Sequence, residues 1–337
     1  MAKIKAISYY LPEQNLTNEA INQQFPEWGI DKISSKTGIS SRHISAEDEF
    51  SSDMAVKAAE KLFDEHQIDR DTVDFLLLCT QSPDYLLPTT ACILQDRLGL
   101  KTTVGALDFN LGCSGFVYGL SLAKGLIAGG MAKNVLLITS ETYSKFIHPK
   151  DKSNKTIFGD AAAATLVSAT EGFCNIGEFV FGTDGRGAEN LMVKQGGLRF
   201  PLTEENIDVE DEFGNVKNDR NLIMNGSEIF NFTGESVPVL TKAVMEKANL
   251  SVDQVDMFIF HQANKYMLNH LRKKIGIPED KFFIAMEHCG NTVSSTIPIA
   301  IYEAQQGANL NNAETILLAG FGVGYSWAGC MLYKNND

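Results

Sequence analysis

Residues 58–79 read AAEKLFDEHQIDRDTVDFLLLC, and residues 243–261 read AVMEKANLSVDQVDMFIFH. Both pass from an amphipathic helical pattern through Ile or Leu and a short acidic turn to a Val-Asp pair and an apolar strand. Aligning Val73-Asp74 with Val255-Asp256 gives an offset of 182 and sets Cys79 opposite His261. Further on, NVLLITS (134–140) answers to ETILLAG (314–320) at an offset of about 180. Matched segments in the same order, at nearly one offset, indicate an internal duplication of about half the chain and not a short solenoid repeat. The expected halves are 1–172 and 173–337.

Working outward, VDFLLLCT, PTTACILQDRLG, VGALDFN, a helix from Cys113 to about Gly129, and NVLLITS alternate strand and helix. That rhythm predicts an α/β protein with a largely parallel sheet. A second helix, SSTIPIAIYEAQQG, follows Gly290-Asn291-Thr292. If the halves pack about a pseudo-twofold axis, Cys113, His261 and Asn291 all fall at strand–helix junctions. Ligands of open α/β sheets bind at the carboxyl ends of strands, so these distant residues can share one pocket.

Cys113 lies in DFNLGCSGFVYGL (108–120), between glycines and a serine, whereas most of the six cysteines sit in apolar runs. A thiol in the first turn of a helix is expected to have a lowered pKa, and its glycines would let a thioester approach. A small packing residue at a tight turn is the alternative. HQAN (261–264) follows the strand DMFIF, and its histidine could instead cap the next helix. Asn291 could likewise be an N-cap. The tail LLAGFGVGYSWAG (317–329) lies too near the C-terminus for a dinucleotide fingerprint and reads as a turn presenting backbone N–H groups. His261, His270, His288 and Cys289 lack metal-ligand spacing, so no metal is expected.

The chain has 337 residues and a net charge of −13, which argues against a nucleic-acid partner. No run approaches the roughly 18–20 apolar residues of a membrane span, and MAKIKAISYYLPEQ does not read as a signal peptide. The cytoplasm and reduced thiols are therefore expected. The acidic stretch EENIDVEDEFGNVKND (204–219) reads as a solvated surface loop, and RKK (272–274) as a local basic patch.

Cys113 in GCSG, HQAN, GNT (290–292), IFGDAAAATL (157–166) and GFGVGYSWAG together resemble β-ketoacyl-acyl-carrier-protein synthase III, a condensing enzyme of the thiolase superfamily. The likeness extends from YYLPEQNLTNEA and KTGISSRH through NGSEIFNFT to the tail. It implies duplicated α/β halves layered α-β-α-β-α, a homodimer, and no cofactor beyond the substrates acyl-CoA and malonyl-acyl carrier protein. It implies that Cys113 becomes acylated, with the N–H groups of Cys113 and Val323 as oxyanion hole. His261 and Asn291 would then stabilise the enolate left by malonyl decarboxylation.

The resemblance also assigns Lys36, Thr37, Lys152, Phe230 and Asn264 to CoA and pantetheine. It assigns Leu87 to the partner subunit's acyl pocket, where a side chain smaller than the frequent aromatic would admit more than acetyl. Lys265, Arg272, Lys273 and Lys274 would dock the carrier protein. The chain departs from the family pattern at KTGI, where Lys36 replaces arginine and Trp28 lies eight residues upstream; at Lys152; and at Tyr266 after HQAN. A lysine holds phosphate as a point charge and not as a fork. The departures at KTGI and Tyr266 motivate a second reading, a related enzyme of secondary metabolism or surface-polysaccharide biosynthesis that condenses or transfers an unusual acyl group, sometimes without malonyl decarboxylation. A non-catalytic subunit is disfavoured because Cys113, His261 and Asn291 are all retained. Cys289 is read as packing.

Overall fold

The Val-Asp pair has the same task in both halves. The Asp74 carboxylate accepts the N–H groups of Lys133 and Asn134 at 2.7 and 2.9 Å. Asp256 accepts those of Glu314 and Thr315, both at 3.0 Å. Each aspartate thus closes the open end of a neighbouring strand, where backbone donors would otherwise lack a partner.

The computed structural model describes residues 2–212 and 214–335. Ten strands form its large sheet. The first five are β1 (Lys3–Tyr10), β2 (Phe75–Cys79), β3 (Gly105–Phe109), β4 (Asn134–Glu141) and β5 (Ala161–Ser168). The others are β6 (Cys174–Thr183), β7 (Met257–Phe260), β8 (Phe282–Phe283), β9 (Thr315–Gly322) and β10 (Ser326–Lys334). Their order, β8-β7-β9-β10-β6-β1-β5-β4-β2-β3, is a mirror-ordered pair of five-strand sets. The sets meet at β1 and β6, where Lys3 pairs with Asn175 and Ile4 with Cys174.

The sheet is mixed, which corrects the largely parallel expectation. β2 runs parallel to β3 and β4, and β7 to β8 and β9. The β4–β5, β5–β1, β1–β6, β6–β10 and β10–β9 pairs are antiparallel. Residues 323–325 alone join β9 to β10, too short a link for the crossover a parallel pair needs.

Five helices position the site: α1 (Ser51–Glu65), α2 (Gly115–Ala128), α3 (Gly226–Ala248), α4 (Lys265–Ile275) and α5 (Thr296–Gln306). α1 packs on β1, β4 and β5, and α3 on β6, β9 and β10. α2 and α5 touch strands of both sets, so they form the middle layer. The apolar face of α2 buries Phe116, Val117, Leu120 and Ala123, and burying each large side chain is worth roughly 1.5–3 kcal/mol. Pro298 sits in the first turn of α5, where its missing N–H breaks no helical bond.

The acidic stretch is only partly a loop. Val209–Glu210 pairs with Val216–Lys217. Asn215 and Val216 are buried, with the Asn215 side chain held by Asp211 and Ser153. Among the described residues no helix is long and apolar enough to cross a membrane.

Candidate active site

Cys113 occupies the turn between β3 and α2, two residues ahead of the helix, and is buried. Its glycines make room for protein neighbours. A Cβ on Gly115 would lie 2.2 Å from Cys79 Sγ, and one on Gly112 would lie 2.6 Å from Gln81 Oε1 and from Val323 Cγ1. The glycines of the tail do the same: a Cβ on Gly322 would lie 2.8 Å from Cys113 Sγ. Strand β9 can therefore pass directly against the Cys113 turn.

The expected lowering of the thiol pKa is also corrected. Burial, reinforced by the Glu141 carboxyl, pushes Cys113 up to about 12, against the pull of the Cys113 and Val323 N–H groups. Desolvation of a thiolate in this enclosed turn outweighs the helix end. The resting group is a neutral thiol with two backbone donors converging on it.

His261 follows β7 directly, and its N–H donates to Ala319 on β9 at 2.8 Å. The ring is buried, with Nδ1 2.8 Å from Thr296 Oγ1 and its edge against Phe321. Burial drives its pKa down to about 3, so the imidazole is neutral. Asn291 is stitched to the first half: its N–H donates to Ile157 C=O at 2.9 Å, and its C=O accepts from Gly159 at 3.1 Å. Gly290 before it has φ +72°, and a Cβ there would lie 2.9 Å from Ile157 O. The Asn291 Oδ1 accepts the Val293 N–H at 2.9 Å, which leaves the Nδ2 donor for a ligand. That is an Asx turn and not the expected N-cap, since Thr292 and Ser295 stand at the helix starts, and it orients the amide.

Cys113, His261, Asn291 and Asn264 line one cavity of about 140 Å³, together with Tyr143, Phe158 and other apolar side chains. A larger open cleft of about 790 Å³ beside α1 holds salt bridges of Lys57 with Glu49 and Arg97 with Asp53, and no nucleophile. Among the described residues no His, Cys, Asp and Glu cluster could hold a metal.

Apart from Asn264 in its wall, the predicted CoA, acyl-pocket and docking residues lie outside that cavity. Lys36 is exposed, and the Thr37 hydroxyl is buried, donating to Ile33 C=O and accepting from Ile39 N–H. Lys152 pairs with Glu27 and covers Phe25. Trp28 packs among Ile21, Phe25 and Ile33, with Lys32 over its ring. Phe230 stacks on Tyr266 and His270. Asn264 caps α4 through Oδ1 at 2.8 Å from Met267 N. Lys265, Lys273 and Lys274 are exposed, whereas Arg272 is tied to Glu279 and to Ile277 C=O. Leu87 is 87% exposed, and Cys289 is buried with Ala161, Ala163 and Ile299.

Sequence reading missed Tyr143 and Glu141. Tyr143 is buried in the cavity wall and donates to Gln81 Oε1 at 2.5 Å. Glu141 is wholly buried and accepts from Ser294 Oγ at 2.7 Å and Gln81 N at 3.0 Å. Its signal was available, a carboxylate ending the otherwise apolar run NVLLITSE.

Two family models match the chain: 3-oxoacyl-[acyl-carrier-protein (ACP)] synthase III over residues 107–185, and its C-terminal part over residues 245–334. The chain is 35% identical to β-ketoacyl-[acyl-carrier-protein] synthase III of Clostridium perfringens over 98% of both chains. It is 36% identical to synthase III 2 of Halalkalibacterium halodurans, over 98% of this chain and 96% of that one. A crystal structure of a 3-oxoacyl-(acyl-carrier-protein) synthase III superposes with a TM-score of 0.96 at 51% identity, covering 98% of this chain and 99% of that one. OleA of Xanthomonas campestris shares the fold at TM-score 0.83 and 18% identity. With its thiolase-like halves and the buried thiol, imidazole and amide between them, the chain belongs to the 3-oxoacyl-[acyl-carrier-protein] synthase III family.

Proposed function

We propose that this synthase condenses an acyl-CoA with malonyl-acyl carrier protein through an acyl-Cys113 intermediate. The supporting observation is the convergence of Cys113, His261 and Asn291 in one apolar cavity, with two backbone N–H groups aimed at the sulfur. Cys113 loses its proton as it attacks the thioester carbonyl, and the protonated CoA thiol leaves. The N–H groups of Cys113 and Val323 hold the oxyanion. Malonyl thioester then loses CO2. Its enolate oxygen takes hydrogen bonds from Asn291 Nδ2 and His261 Nε2, and its carbon attacks the acyl group. Cys113 departs as a thiolate and is reprotonated. Asn291 does not titrate, so it is a fixed donor.

No cofactor enters these steps. Asn264 in the cavity wall and exposed Lys36 support a pantetheine and nucleotide path along the helix Ile30–Thr37 and α4. Exposed Lys265, Lys273 and Lys274 support carrier-protein docking, so charge reversal at Lys273 and Lys274 is expected to raise KM for malonyl-carrier protein. The halves 1–172 and 173–337 are the duplicated units, and six unpaired cysteines support a cytoplasmic location.

A homodimer is supported by the open edge at β3. Leu107 is half exposed there, and Tyr85, Leu86 and Leu87 are exposed nearby. The Asp108 carboxylate ties the segment after Leu87 to β3 through Thr90 N and Ala91 N. Sedimentation of Leu107→Asp tests it, with monomers expected.

The test of the reaction is release of labelled CO2 from malonyl-carrier protein. Release that requires acyl-CoA supports condensation. Acyl transfer to another acceptor without CO2 supports the second reading.

A further inference from the structure

The four residues after Thr292 are Val293, Ser294, Ser295 and Thr296, and all are buried. Each has a distinct partner. Val293 N–H fixes Asn291 Oδ1, and Ser294 Oγ donates to Glu141. Ser295 Oγ meets Thr139 Oγ1 at 2.8 Å, and Thr296 Oγ1 meets His261 Nδ1 at 2.8 Å. Val293 is held at φ +56°, a conformation that β-branched residues rarely adopt. One strained turn, anchored to β4 of the first half by two serines, therefore orients both side chains assigned to the enolate. Strain of this kind persists only where the surroundings over-determine it.

Within this turn the Thr296 hydroxyl has a choice. It has one proton and two acceptors in reach, His261 Nδ1 at 2.8 Å and Val293 C=O at 3.0 Å. A neutral imidazole carries one proton, and the partner of one nitrogen decides which. If the hydroxyl proton lies on Nδ1, the other nitrogen must be Nε2–H. If it lies on Val293 C=O, Nδ1 carries the hydrogen and Nε2 is a lone pair.

We propose that Thr296 is a positioning residue that donates its hydroxyl proton to His261 Nδ1 and so locks the Nε2–H tautomer that donates to the enolate. The shorter of its two contacts is the one to the ring, and the Val293 C=O, which also acts on the ring, is the competing acceptor. The role of that Nε2–H rests on the condensation reading; the tautomer itself does not.

The test uses the full-length protein with 15N-labelled histidine, compared with Thr296→Val and Thr296→Ser. The expected wild-type spectrum shows a neutral His261 ring with nitrogen-bound hydrogen on Nε2, assigned by its loss in His261→Ala. Thr296→Val is expected to populate the Nδ1–H form and to lower kcat for condensation about tenfold, the size of one lost hydrogen bond. Self-acylation falls less, and Thr296→Ser restores both tautomer and kcat. A wild-type Nδ1–H ring, or a Thr296→Val protein that keeps both its tautomer and its kcat, overturns the proposal. A wild-type protein that is Nε2–H yet releases no CO2 overturns the condensation reading alone.

Discussion

Cys79 ends β2 and His261 directly follows β7, equivalent positions of the two halves, and their fates differ. Both follow the Val-Asp staple, the apolar strand and the preceding helix of their half. Cys79 Sγ, wholly buried, lies 3.0 Å from Leu111 C=O and fills the space that Gly115 leaves open. His261 meets a cavity and a hydroxyl. The middle helices differ likewise. α2 follows a turn with a thiol, and α5 follows a turn with an amide. The scaffold is duplicated while the side chains at the cavity are divided, one half carrying the thiol and the other the imidazole and the amide.

The comparison is broken most severely at the donors. His261→Ala and Asn291→Ala are expected to lower condensation by about 10²–10³-fold, as loss of an oxyanion donor does. Self-acylation stays measurable by intact mass. Loss of acylation in folded Asn291→Ala contradicts its role as an enolate donor. Next comes the structural counterpart. Gly115→Ala places a methyl 2.2 Å from Cys79 Sγ, and overpacking of this kind costs about 1–3 kcal/mol. Adding Cys79→Ala is expected to recover part of that stability in urea, without loss of acylation.

The staples are expected to be equivalent. Asp74→Ala and Asp256→Ala each strand two strand-end N–H groups, at about 1–2 kcal/mol each. A cost confined to one half breaks the structural symmetry. A pH dependence concerns Glu141, whose carboxyl burial raises from 4.5 to about 8. A raised folded value means its stabilising share is full below the unfolded value and is lost as pH rises toward 8. Stability of the wild type relative to Glu141→Gln is therefore expected to fall as pH rises between 4.5 and 8, by at most about 1.4 kcal/mol per pH unit. A flat difference in denaturant midpoints rejects this.

The staple, the duplication and the three converging residues were legible in the sequence because each repeats or breaks a local pattern. Val-Asp recurs at a fixed offset, and Cys113 interrupts an apolar strand with glycine and serine. What those glycines face was not legible, because Cys79, Gln81 and Val323 reach them from other elements. Nor was the direction of the Cys113 shift. A helix start is visible locally, but burial and the approach of the Glu141 carboxyl arise only on folding. The pairing of Lys152, assigned to CoA by resemblance, with Glu27 was not legible either, because only the fold brings the two together. The mixed sheet followed from the three-residue link at 323–325, which strand–helix rhythm alone does not weigh.

The central claim, that the two halves converge on an acylated thiol, is tested most directly by mass spectrometry after incubation with acyl-CoAs of increasing length. A single acyl adduct is expected on the peptide containing Cys113, and none on Cys79, its buried neighbour. Cys113→Ala is expected to carry none. Absence of an adduct on Cys113 with every donor, or an adduct that survives Cys113→Ala, contradicts the account.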